Sequence, residues 1–169
     1  MYLELLDVED EGLAPRAWLE AAELAIEGKA PADLLKRKLG RLLSLLMSSV
    51  APARVMAWRA AALLLRAAVV EPKELAERKE GLLELLRFRG PTPGIYADAW
   101  EVAEALARAG LLSAKDLRPL SGLLWDVVRR SSGRERGRLA SIASRLASSG
   151  LIRGPKARLP VLAEEAYIL

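Results

Sequence analysis

An all-α fold of three consecutive helical hairpins is predicted by three observations. Leu supplies 34 residues and Ala 29, against 15 for Val, Ile and Thr together. Unbranched side chains lose little freedom in a helix, whereas β-branched ones lose more. Helix punctuation recurs at one spacing: Pro31 and Pro72 lie 41 residues apart, as do Pro52 and Pro93, and Gly40, Gly81 and Gly122 keep the same step. Apolar positions follow it, with Leu42, Leu83 and Leu124, then Leu45, Leu86 and Val127. Such periodicity marks a repeat architecture, in which one hairpin cannot bury both apolar faces and leans on its neighbours.

The elements follow in order. An N-terminal segment and helix over 1–28 carries Ala17-Trp18, Ala21 and Leu24. This reads as a lone second helix ahead of the first full unit. Hairpins are expected at 31–71, 72–112 and 113–153, with a tail at 154–169, and no Gly/Ser-rich linker divides this single domain. Their helices should span about 16 to 19 residues each. The second helices share a small-residue and Leu pattern: Ala57-Trp58, Ala61 and Leu64; Ala99-Trp100, Ala103 and Leu106; Leu139-Ala140, Ala143 and Leu146. Proline suits a helix start because its missing N–H is not needed there. In the third hairpin Ser113 with Asp116 and Ser132 with Glu135 take that place as capping boxes. Gly110-Leu111-Leu112 and Gly150-Leu151-Ile152 read as left-handed stops with an apolar residue folded back. The stretch 52–70 is apolar almost all round, as an internal helix should be.

Two-helix units of about 41 residues, with small residues facing Trp and Leu, resemble the HEAT/armadillo-like α-solenoids over positions 15–153. The resemblance implies a short right-handed α-solenoid of about three hairpins with N- and C-terminal capping elements. It also implies a non-catalytic scaffold that binds another protein or a second copy of itself. No unit shows the Asp and Arg/Lys pair that many HEAT repeats place around the inter-helix turn.

The absences narrow the chemistry. There is no His, Cys, Asn or Gln, and Thr92 is the only Thr. Disulfides, thiolate nucleophiles and cysteine-ligated metals are excluded, and the usual general base is missing. Neither catalysis nor a cofactor is expected. Lacking thermolabile Asn, Gln and Cys while keeping 28% charged residues is the composition of a thermophile protein. The acidic start without Lys or Arg is unlike an export signal, and no apolar stretch reaches the roughly 18 residues that span a bilayer. A cytoplasmic protein with no membrane partner is expected.

Charge is unevenly placed. Residues 1–27 hold eight acidic side chains and Arg16, whereas residues 129–158 hold nine basic ones against Glu135. Opposite ends of this kind can attract head to tail. Arg129, Arg130, Arg134 and Arg136 fall around one intra-hairpin turn, and Arg87, Phe88 and Arg89 around the turn one unit earlier. Stacking would align these into a ridge able to meet an anionic partner, with Phe88 able to stack on a base. Nucleic-acid binding is therefore the second functional reading. An enzyme acting on nucleic acid or a small anion is the third and weakest.

Other features have plainer readings. Trp18, Trp58 and Trp100 recur at one helical position and read as core. Carboxylate pairs such as Glu101 and Glu104, and the run from Glu71 to Glu84, read as wet helix faces. The apolar end of the tail, Ala163 to Leu169, should dock either on the last hairpin or into another chain.

Overall fold

The computed structural model describes residues 3–87 and 93–155, and every regular element among them is helical. The chain divides into two compact units, Met1–Leu112 and Ser113–Leu169. The first begins with a 3-10 segment, Leu3–Asp7, followed by α1 (Leu13–Ile26), α2 (Ala32–Arg37), α3 (Leu39–Leu45) and α4 (Ala51–Arg66). It continues with α5 (Pro72–Ala76), α6 (Lys79–Arg87) and α7 (Pro93–Arg108). The second holds α8 (Ala114–Leu117), a 3-10 turn at Arg118–Leu120, α9 (Ser121–Arg130) and α10 (Gly133–Ser148).

In the first unit α4 is central, packed between α1 and α7 and against α3 and α6. Its buried residues (Ala53, Val55, Ala57, Trp58, Ala60, Ala61 and Leu64) are mostly small, which lets two neighbouring helices approach closely. Trp18, Trp58 and Trp100 are fully buried, in the core as their spacing predicts. The Trp18 indole donates to the Leu6 carbonyl at 3.0 Å, and Trp58 donates to Leu46 at 3.0 Å. Each bond joins a helix to the chain twelve residues earlier, so a short 3-10 segment gives α1 the seat that the end of α3 gives α4. Trp100 differs. The Leu86 carbonyl accepts instead from the Tyr96 hydroxyl at 3.3 Å, and the Trp100 N–H is buried without a partner among the described residues. In the second unit α9 packs against α10. Trp125 is only half-buried there, and its indole donates to the Arg153 carbonyl at 2.8 Å.

The expected long first helices are broken. Lys38 separates α2 from α3, Glu77 and Arg78 separate α5 from α6, and Pro119 lies in the 3-10 turn between α8 and α9. At two breaks the hydrogen bonds tighten to three-residue spacing, Arg41 to Lys38 at 3.2 Å and Gly81 to Arg78 at 3.0 Å. At the third, proline has no N–H to give. Ser113 caps α8: its N–H donates to Asp116 at 3.0 Å, and its hydroxyl accepts from the Asp116 N–H at 3.4 Å. Ser132 does not cap α10 with its side chain, although the spacing to Glu135 predicts it. The Glu74 carboxylate closes the start of α5 instead, accepting the Glu71 N–H at 3.1 Å.

The four longest helices end alike. After α1, α7 and α10 the chain turns through Gly28, Gly110 and Gly150 with φ of 75°, 84° and 78°. The following N–H returns to Leu24, Leu106 and Leu146 at 2.8, 2.9 and 2.9 Å. After α4 the same turn, with Val69 bonded to Leu64 at 2.9 Å, is made by Ala68 at φ 61°. A side chain strains that left-handed conformation by about 1–2 kcal/mol. Ala68→Gly should therefore stabilise the protein by about 0.5–1 kcal/mol after the entropy that glycine adds to the unfolded chain. A rise in the urea unfolding midpoint at constant m-value checks this.

Candidate functional site

The α9–α10 turn gathers four of the sequence-identified arginines. Arg129 and Arg130 end α9, where positive charge suits the carboxyl end of the helix dipole. Both also reach the half-buried Asp126 one turn back, at 3.4 and 3.3 Å. Only Ser131 and Ser132 separate α9 from α10, so Arg134 and Arg136 follow at once on the first turn of α10. Those two are exposed, and their charge opposes the dipole there. Arg138, one turn further, pairs with Glu135 at 3.3 Å. The cluster is thus one helix end with its charge shared with Asp126, followed by a helix start that carries cations against the local field.

Arg87 belongs to the first unit, where it ends α6 exposed and pairs with Glu80. Phe88 and Arg89 lie outside the described residues. The stacking position proposed for Phe88 and the flank proposed for Arg89 therefore have no described geometry.

Two surface grooves of the first unit escaped sequence reasoning. One, of about 300 Å³, runs across α1, α4 and α7. Leu19, Ala62, Leu63 and Val102 form its floor, with Arg59 and Arg66 beside Glu23 and Glu101. The other, of about 380 Å³, lies between the 3-10 segment and α1, where Leu5, Leu13 and Leu19 sit among Arg16, Glu20 and Glu23. Their leucines read as core in the sequence because they sit in helical apolar runs. A finer signal was available. On a helical wheel Leu13 and Leu19 flank the stripe Arg16, Glu20, Glu23 and Glu27, opposite to Ala14, Trp18 and Ala21.

Glu104 is buried but pairs with Arg108 at 3.0 Å, one turn away on α7. Among the described residues no group of three or more acidic side chains is disposed to hold a metal. No described helix is long and apolar enough to cross a membrane. Compared with known proteins, the chain matches no family model, no curated protein and no solved structure.

Proposed function

We propose that this chain is a non-catalytic interaction scaffold, a short right-handed α-solenoid of the HEAT/armadillo-like type that binds another protein or a second copy of itself. The observation that carries the reading is the side-by-side layer of α1, α4 and α7 in the first unit. Its outer face is grooved, apolar at the floor and charged at the rim. Helical arrays recognise partners through continuous faces of this kind rather than through a catalytic pocket. The recurring left-handed stops and the 41-residue spacing support the same reading. The test is affinity capture from the source organism's lysate, with light scattering of the purified chain alongside it. Capture of a partner that is lost on Leu63→Glu, or a dimer or larger species, is expected. A strictly monomeric chain that captures nothing overturns the proposal.

Nucleic-acid binding is the second reading, favoured by Arg134 and Arg136 standing exposed where the dipole opposes them. A phosphate there would relieve that opposition. Binding to mixed single- and double-stranded DNA and RNA should then weaken with salt. The double substitution Arg134→Ala/Arg136→Ala should lower the log–log salt slope by about 2 if both contact phosphates. No binding at low salt removes this reading.

A further inference from the structure

We propose that Trp125 is a base-stacking platform for single-stranded nucleic acid, set among the cations of the second unit. The inference rests on the nucleic-acid reading above and gives it a site and a strand form. Of the four tryptophans, Trp18, Trp58 and Trp100 are fully buried in the first unit. Trp125 is the exception, half-buried on α9. Its N–H donates to the Arg153 carbonyl at 2.8 Å, which satisfies the polar edge of the ring and fixes its place.

One turn away along α9, Trp125 has Ser121 and Gly122 on the amino side and Val128 and Arg129 on the carboxyl side. Ser121 and Val128 are buried, whereas Gly122 and Arg129 are exposed. A Cβ on Gly122 would have nothing within 4 Å. Helical side chains lean toward the amino end, and on that side Gly122 leaves room for a flat ligand. Arg118, one turn before Gly122, donates to the Gly150 carbonyl at 3.1 Å. Arg118 and Trp125 are thus both tied to the segment that runs from Gly150 to Arg153. Arg153 is itself exposed and forms no ion pair among the described residues.

Charge selects the kind of partner. Residues 113–169 carry eleven basic and five acidic side chains, whereas residues 1–112 carry fifteen and seventeen. The acids described in the second unit are all engaged. Asp116 caps α8, Asp126 faces Arg129 and Arg130, and Glu135 pairs with Arg138 at 3.3 Å. The unit therefore presents a field that attracts polyanions. A single strand alternates flat bases with phosphates and meets both the ring and the cations. An acidic peptide meets the cations alone, and a duplex keeps its bases stacked on one another.

Because the other three indoles are buried, tryptophan fluorescence of the full-length chain reads this site. Dodecamers of thymidine or uridine at low salt are expected to quench the emission to saturation, the stronger of the two naming the strand. Trp125→Leu should abolish the quench. It should also weaken binding, read by anisotropy of a labelled strand, at least about fivefold, as the loss of one stacked base requires. Trp125→Phe keeps a π-face and should recover part of that affinity. Gly122→Glu places a carboxylate beside the ring in open space and should weaken binding severalfold. Should Trp125→Leu unfold the second unit, Gly122→Glu decides alone. A duplex of the same length and polyglutamate should leave the emission unchanged. Binding indifferent to these substitutions, or equal quenching by duplex or polyglutamate, overturns the platform and leaves the nucleic-acid reading standing. No binding of any strand at low salt removes both.

Discussion

Gly81→Ala should destabilise the first unit by about 2–3 kcal/mol, the cost of overpacking where the obstacle is backbone. A Cβ at that position would stand 2.5 Å from the Leu46 carbonyl oxygen and 2.6 Å from the Met47 sulfur. The thioether can swing away, but the carbonyl cannot, because it accepts the Trp58 indole bond. Gly40 and Gly122 share the 41-residue register and have nothing within 4 Å of the same position. Both lie inside helices, so Gly40→Ala and Gly122→Ala should each stabilise by about 0.5–1 kcal/mol. Urea unfolding of the three variants separates a glycine required by close approach from two that are not. Equal effects at all three would refute the packing argument.

The second large effect concerns Arg54. Its Nε donates to the Ser48 carbonyl at 2.7 Å, and Nη1 donates to the Gly81 carbonyl at 3.0 Å and to Glu84 at 2.6 Å. The guanidinium therefore ties the α3–α4 turn to α6 while only 13% exposed. Arg54→Ala should cost about 2–4 kcal/mol, since it strands partly buried carbonyls as well as removing charge-assisted bonds. Arg54→Lys should recover little, because an ammonium cannot reproduce the planar fork. Glu84→Gln should cost under about 1 kcal/mol, its carboxylate being 44% exposed. If Glu84→Gln proved as harmful as Arg54→Ala, the ion pair rather than the carbonyl bonds would be the tie.

Much of this fold was legible in the chain because it is written in local chemistry. Pro72 and Pro93 begin α5 and α7, and the glycines at 110 and 150 stop α7 and α10. These residues act through their own backbone dihedrals, so spacing alone exposes them. Pro31 is the partial exception, standing just before α2 rather than in its first turn. What stayed hidden depends on atoms brought from elsewhere. Nothing in the run around Ala68 announces a left-handed residue, since the turn is enforced by its bonds back to α4. Arg54 reads as one surface arginine among many until the carbonyls of Ser48 and Gly81 converge on it. For the arginine turn, spacing showed the four arginines, whereas the sharing of Asp126 by Arg129 and Arg130 emerges only from the structure. The groove leucines were concealed because a half-buried leucine and a core leucine are the same letter.

Uneven packing around α4 sets where the first unit gives way. α1 and α4 are each latched by a buried N–H bond to a carbonyl twelve residues earlier. α7 is tied instead by the Tyr96 hydroxyl to the Leu86 carbonyl, and its contact with α4 is less extensive than that of α1. Opening of α7 alone forfeits less packing against α4 than opening of α1, so it is the lower-energy fluctuation. Backbone amides should exchange with solvent sooner in α7 than in α1 or α4. The layer therefore breathes from one side, and its outer face is most adaptable where α7 meets α4.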